Sequence, residues 1–424
     1  MSTNPQREFA LDIVRQLRAA GFEALWAGGC VRDQLLAREP MDYDVATNAR
    51  PEEIQKLFGH RRTLAIGAAF GVIGVLSKNA GTVEVATFRS DGAYLDGRHP
   101  SSVVFTTAEH DAQRRDFTIN GMFFDPLANQ VIDYVDGQAD LAGGIIRAIG
   151  DPTARFTEDK LRMLRAVRFA TTFNFTIEPN TLAAIQEMAE EVNVVSAERI
   201  GAELTRLLTH PRRDDGLRLL QESGLLKPLF PELADAASSN TDAWRQTLQA
   251  LERLESKNLS TALAGLFVDS IPAAQVATAG RRFRFSNKEI DLAVWLAKQL
   301  PRIAEAEQLP WPRLQRILTH DGAEELMALA AATVGRDHPS VTKCQEFLSL
   351  PSEKLNPPQL LTGDDLVRHG YQPGPHFAQL LTAIRDAQLE GQIGDESEAL
   401  QLADQLIQDQ DIDHKGTKDT KKER

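Results

Sequence analysis

The stretch Trp26-Ala-Gly-Gly-Cys-Val-Arg-Asp33, followed nine positions after Asp33 by Asp42-Tyr-Asp44, decides the reading of this chain. A strand ending at Ala27, a turn at Gly28-Gly29 and a helix from about Val31 would bring backbone N–H groups and a helix N-terminus to a phosphate with no Cβ in the way. Arg32 adds a bidentate partner for phosphate oxygens. On a strand, residues i and i+2 face one side, so Asp42 and Asp44 would present their carboxylates together. Two like charges that close repel unless cations neutralise them, and Mg²⁺ takes one or two carboxylates along with substrate phosphate oxygens. Each feature alone is commonplace, a turn before a helix in one case and a solvated acid pair in the other. Their succession points to phosphoryl or nucleotidyl transfer.

Composition sets the frame around this stretch. The 424 residues are 42% hydrophobic and 25% charged, which suits two to four globular units. Cys30 and Cys344 lie far apart with no pairing pattern, and the opening residues contain no signal-like apolar run, so the cytoplasm is the expected address. No window approaches the roughly 20 apolar residues of a membrane span, and no membrane insertion is expected. A net charge of −13 argues against broad coating of nucleic acid but is compatible with a local basic groove.

Apolar residues recur at helical spacing over 8–20 (Ala10, Ile13, Val14, Leu17) until Gly21, and a short strand follows at 23–27. Further strands read at 72–76, 82–88, 103–105 and 119–124, separated by Gly and Asp turns. To about residue 150 the pattern is mixed α and β. Beyond Asp151-Pro152 it is almost wholly helical, with runs at 157–173, 197–209, 214–223, 243–255, 288–299, 376–390 and 396–408. Prolines at 310–312 and from 351 to 358 mark joints, and residues 409–424, charged with no apolar face, read as a disordered tail. No protein partner can be deduced.

Other residues carry chemistry-bearing patterns. Glu84 lies inside the apolar strand Thr82-Val-Glu-Val-Ala-Thr-Phe-Arg89 and either faces solvent or completes a metal site. Arg114-Arg115-Asp116-Phe-Thr-Ile-Asn120 puts two cations, an acid and an amide before a buried run, a set that can hold phosphates and sugar hydroxyls. In Glu158-Asp159-Lys-Leu-Arg162-Met-Leu-Arg165-Ala-Val-Arg168, a continuous helix would place Asp159, Arg162 and Arg165 within an arc of roughly 120°. Asp accepts and Arg donates, so such a pair can match the edge of a nucleobase, although i, i+3 pairs also occur as weak surface ion pairs.

Taken in order, these motifs resemble the class II tRNA nucleotidyltransferase and bacterial poly(A) polymerase family. The similarity continues through Gly216–Leu233 and Arg281–Glu289 to Leu361-Thr-Gly-Asp-Asp-Leu-Val and Gln372-Pro-Gly-Pro375. The resemblance implies an α+β, seahorse-like molecule. A nucleotidyltransferase head with a small mixed β-sheet and helices (1–150) would be followed by an all-α neck that reads the base (151–215), body (216–345) and tRNA-binding tail (346–408). It implies that Asp42 and Asp44 hold Mg²⁺ with Glu84 as third acid, and that Gly28, Gly29 and Arg32 contact the triphosphate. Arg115, Asp116 and Asn120 would lie near sugar and phosphates. Asp159 and Arg162 would read the incoming base, with Arg165 and Arg168 completing the positive side.

The implied activity is addition of CCA, or its terminal A, to tRNA 3′ ends from CTP and ATP with release of pyrophosphate. Poly(A) addition to general RNA and A-only addition are the alternatives, and a catalytically silent RNA-binding protein is the reading from another class. The span Asp91-Gly-Ala-Tyr-Leu-Asp-Gly-Arg98-His-Pro100 matches the flexible loop of enzymes that add the terminal A and disfavours a CC-only enzyme. Some relatives carry a metal phosphohydrolase domain after the neck. Gln246 and Val268 stand here where that domain has histidines, so the body reads as a degenerate domain without its metal site.

Overall fold

In the computed structural model, which describes residues 4–67, 70–92, 103–239, 241–268 and 272–419, the run Ala24–Ala27 forms strand β1 and is buried on both faces. Leu25 and Ala27 point into a core with Ala46, Phe88, Ala108, Ala112 and Phe123, while Trp26 packs with Tyr43 and Phe124. Helix α1 (Pro5–Ala19) buries the positions expected from its spacing, Ala10, Ile13, Val14 and Leu17, and Asn4 caps it by accepting from the N–H groups of Gln6 and Arg7. After β1 come α2 (Gly29–Leu35), β2 (Asp44–Thr47), α3 (Pro51–Phe58), β3 (Thr63–Gly67), β4 (Val72–Ser77) and β5 (Gly81–Thr87). A small hairpin of β6 (Arg89–Asp91) and β7 (Val103–Phe105) precedes α4 (Ala108–Gln113), β8 (Phe123–Asp125) and β9 (Gln130–Ile132).

The principal sheet has seven strands in the order β3-β4-β5-β2-β1-β8-β9. Its β2–β5 pair is parallel, with Val45 opposite Val85; the other pairings are antiparallel. That pair sets Asp44 beside Glu84 in register, one position before the paired valines. The strand expected at 119–124 begins later: residues Thr118–Asn120 form a 3₁₀ turn, and β8 starts at Phe123.

Helices then dominate: α5 (Gly137–Gly143), α6 (Pro152–Glu158), α7 (Leu161–Phe173), α8 (Pro179–Met188), α9 (Ala197–Leu208) and α10 (Arg213–Glu222). The described residues up to 248, with 278–287, form one compact unit. Residues 249–268, 272–277 and 288–419 form another, which is all helical. Its cores gather Leu296, Leu300, Leu314, Leu326, Leu329 and Val341 in one cluster, and Leu361, Leu366, Leu380, Ile384, Ala399 and Ala403 in a second. Two helices run past their expected ends. Asn287–Ala304 continues through Pro301, and Glu396–Asp419 carries helical backbone into the stretch read as a disordered tail. The loop expected to add the terminal A lies, beyond Gly92, outside the described residues. No helix among the described residues is long and apolar enough to cross a membrane.

Candidate active site

Gly28 is the hinge between β1 and α2. Its φ of 72° and ψ of −126° suit glycine, and a Cβ there would stand 3.0 Å from Arg115 Nη1. The chain can therefore turn and bring Arg32, one turn into α2, towards the sheet. Arg32 is buried, donates through Nε and Nη2 to Asp33 Oδ1 at 2.9 and 2.8 Å, and through Nη1 to Asn120 Oδ1 at 2.6 Å. Phe173 of α7 lies under its guanidinium, 4.5 Å from Cζ to the ring centroid. Cys30, in the same turn, is buried, which pushes its thiol well up and disfavours the thiolate.

Asn120 links Arg32 to Asp116, donating Nδ2 to Oδ1 at 3.1 Å. Asp116 also accepts from its neighbour's Phe117 N–H at 2.8 Å, and Oδ2 receives Arg165 Nε and Nη2 at 2.9 and 2.6 Å. Burial alone would raise this carboxyl; the Arg165 charge and the hydrogen bonds from Asn120 and Arg165 outweigh it and bring it to about 2. Behind this layer, Asp111 is buried and accepts from both Arg114, at 2.7 Å, and Arg115, at 2.9 Å. Burial acts to raise its carboxyl as well, and the two arginines hold it below the usual range. Glu203 of α9 likewise pairs with Arg168 and Arg206 and lies 3.6 Å from Arg165.

The two carboxylates of the opening motif face this basic wall. Asp42 precedes β2 rather than lying in it, and Asp44 is its first residue. Tyr43 between them is turned away into the core, where its ring meets Trp26 edge-on at 4.9 Å, and this leaves both acids on the open side. Asp44 is exposed at its surface, but the protein packed around it and then the charges of Asp42 and Glu84 push its carboxyl up, with Arg115 offsetting part of the effect. Neither Asp42 nor Asp44 makes a side-chain hydrogen bond or ion pair among the described residues. A pair of unneutralised hard oxygen donors whose mutual repulsion raises a pKa fits a divalent cation. Among the described residues no three His, Cys, Asp or Glu side chains converge enough to hold an ion by themselves. Glu84 neighbours Asp44 across the parallel pair and adds to its field, but it does not line the cavity.

The expected continuous helix over 157–173 is broken. Helix α6 ends at Glu158, Asp159 is extended (φ −148°, ψ 104°), and α7 begins at Leu161. The cause is local: Asp159 Oδ1 accepts from the Leu161 N–H at 3.1 Å, a bond that competes with helix continuation. Asp159 therefore does not share a helical arc with Arg162. The break nonetheless brings both to one cavity. Arg162 is clamped by Glu158 Oε2 at 2.6 Å and by the carbonyls of Arg155 and Arg114, each at 3.1 Å.

That cavity, of about 570 Å³, is lined by Gly28, Gly29, Arg32, Asp42, Asp44, Arg115, Asp116, Asn120, Asp159, Arg162, Arg165 and Arg168, the sequence-predicted set apart from Glu84. Arg114, Leu161, Phe169 and Arg199 complete it. Sequence reasoning missed Arg199, whose Nη2 donates to Asp159 Oδ2 at 2.6 Å. It also missed Asp111 and Glu203, the acids that organise the arginines. Arg199 and Glu203 are spaced i, i+4 in a helical run, which reads as an ordinary surface pair.

A small mixed sheet whose two acids line one cavity with seven arginines has the chemistry of a nucleotidyltransferase. Comparison with known proteins agrees: residues 24–147 match the family described as "Poly A polymerase head domain", and 174–237 that described as "Probable RNA and SrmB- binding site of polymerase A". The CCA-adding enzyme of Levilactobacillus brevis is 35% identical over 93% of this chain and 97% of its own. That of Streptococcus gordonii is 33% identical over 92% and 95%. A crystal structure of the Bacillus stearothermophilus CCA-adding enzyme in complex with CTP superposes with a TM-score of 0.76 at 28% identity, covering 97% of this chain and 100% of that one. The chain belongs to the CCA-adding enzyme family. Nucleotidyltransferases of this kind usually use a divalent metal.

Proposed function

We propose that this protein adds CCA to the 3′ ends of tRNA from CTP and ATP, without a nucleic-acid template and with release of pyrophosphate, in the cytoplasm. The observation that carries the reading is the single cavity in which Asp42 and Asp44 face seven arginines (32, 114, 115, 162, 165, 168 and 199), with Asp159 and Arg162 on its wall. Asp42 and Asp44 would hold Mg²⁺, with Glu84 tuning their charge, and the metal would supply activation of the RNA 3′-hydroxyl and neutralisation of the triphosphate. Arg32 and Arg115 bind phosphates; Asn120, itself held by Asp116, accepts from both arginines and lies near the sugar. Asp159 accepts from the exocyclic amine that cytosine and adenine share, and Arg162 donates to the adjacent unprotonated ring nitrogen. Uracil and guanine present a carbonyl oxygen and a ring N–H at those positions and would leave buried groups mismatched.

The test is transfer to a tRNA lacking CCA, with each nucleotide supplied alone and then in combination. CTP alone should extend by two residues, and CTP with ATP by three, after which addition stops. Open-ended products from ATP alone would replace this reading with poly(A) addition, and extension of tRNA-CC by ATP without any use of CTP would replace it with A-only addition.

A further inference from the structure

Arg199 lines the cavity but belongs to none of the motifs that carry the family resemblance. From its geometry we infer that Arg199 is the positioning residue for base selection: it holds Asp159 in the orientation in which the carboxylate accepts from the incoming base. The inference rests on the reading of Asp159 as the base-reading acceptor.

The backbone does little to fix Asp159. It is an extended residue between two helices, and its N–H reaches the Arg155 carbonyl at 3.4 Å. Its carboxylate is instead fixed at two points, Oδ1 by the Leu161 N–H at 3.1 Å and Oδ2 by Arg199 Nη2 at 2.6 Å. The first is a contact two residues away that moves with the break itself. The second comes from another helix, α9, whose neighbouring Ile200 and Leu204 are buried in the core. Arg162 differs: three acceptors, on Glu158, Arg155 and Arg114, clamp its guanidinium. Of the two base-reading groups, the acid is thus the one whose placement depends on a single distant partner.

The bond is shielded. The Arg199 and Asp159 side chains are 24% and 16% exposed, so this is no loosely hydrated surface pair. A carboxylate has about four acceptor directions. One bond to each oxygen leaves room for a base amine while removing the freedom of the group to turn away. Selection by geometry needs that freedom removed, because a mobile carboxylate can swing clear of a mismatched carbonyl oxygen and cease to penalise it.

The experiment measures kcat and KM for CTP, ATP, UTP and GTP on tRNA ending at the discriminator base or at CC, using the full-length protein with Arg199→Gln, Arg199→Lys, Asp159→Ala and the double variant Asp159→Ala/Arg199→Gln. Loss of a charge-assisted bond corresponds to about tenfold to a hundredfold. Arg199→Gln should lower the selectivity for CTP over UTP, and for ATP over GTP, by at least about tenfold, with KM for CTP and ATP changed less than about threefold because the phosphate-binding arginines remain. Arg199→Lys, which keeps a cationic donor, should restore most of the selectivity. In the Asp159→Ala background, Arg199→Gln should change selectivity less than about twofold. An equal fall for all four nucleotides, or unchanged selectivity in Arg199→Gln, would make Arg199 a structural residue and overturn the inference. A further tenfold loss in the double variant would mean that Arg199 reads the base itself, which also overturns it. Failure of the wild-type protein to use CTP and ATP would instead defeat the functional reading beneath.

Discussion

Replacing Asp116 by Asn keeps the shape of the side chain and removes the charge on which the arginine wall is organised. The carboxylate is held at about 2 against an ordinary 3.8, which at about 1.4 kcal/mol per pKa unit is roughly 2 to 3 kcal/mol. Its side chain is 10% exposed, so screening takes little from this value. A group with a depressed folded-state pKa contributes fully above its unfolded value and loses that contribution as pH falls through the folded one. The window here runs from about pH 5 down to about pH 2. At pH 6 urea unfolding of Asp116→Asn should show a deficit of about 2–3 kcal/mol, corresponding to a drop in Tm of several degrees. At pH 3 roughly half the wild-type advantage should be gone, narrowing the gap between the two proteins. Activity should fall as well, because the amide has one accepting oxygen where the carboxylate had two: either Arg165 loses its two bonds, or Asn120, which holds Arg32, loses its acceptor. A deficit below about 1 kcal/mol at pH 6, or one that stays constant down to pH 3, would refute the electrostatic account of this layer.

Further outcomes follow from the same geometry. Asp42→Ala or Asp44→Ala should abolish nucleotide transfer with unchanged circular dichroism, since lost charge stabilisation of this kind is worth several kcal/mol; either variant keeping more than about a tenth of the wild-type rate would refute the assignment. Gly28→Ala forces an L-residue into a φ of 72° and sets a Cβ 3.0 Å from Arg115 Nη1. It should cost about 1–3 kcal/mol of stability and raise KM for CTP and ATP together, as read by thermal melts and steady-state kinetics. Asp159→Ala should erode discrimination against UTP and GTP, whereas Arg32→Ala should weaken use of all four nucleotides alike. Nucleotide-by-nucleotide kcat/KM measurements separate the two patterns, and unchanged rejection of UTP and GTP by Asp159→Ala would remove the base-reading role.

Local signals made much of this legible, because turns, strand alternation and helical spacing are properties of short windows. Gly28-Gly29 opens a helix, Val103–Phe105 is a strand, and α1 buries the four residues its spacing names. What escaped was decided by competition or by distance. Asp159 lies in a window with strong helical periodicity, yet its own side chain accepts from the N–H of Leu161 and breaks the run. Asp42 and Asp44 are brought to one side by the burial of Tyr43 against Trp26, not by a shared strand. Arg199 and Glu203 reach partners 40 and 35 residues away, pairings that no window of sequence contains.

Composition misleads about the site for a related physical reason. The chain carries a net charge of −13, yet the cavity is lined by seven arginines and the aspartates 42, 44, 116 and 159. Several of the acids that balance those arginines, Asp33, Asp111, Glu158 and Glu203, bond them from positions that do not line the cavity. The guanidinium groups are thereby fixed in direction before any anion arrives, and the excess positive charge remains on the face that a triphosphate would meet. A chain acidic on the whole can build a basic cavity by placing its carboxylates one layer behind it, and removing one of those backing acids should disorder the arginine it holds even as the local charge becomes more positive.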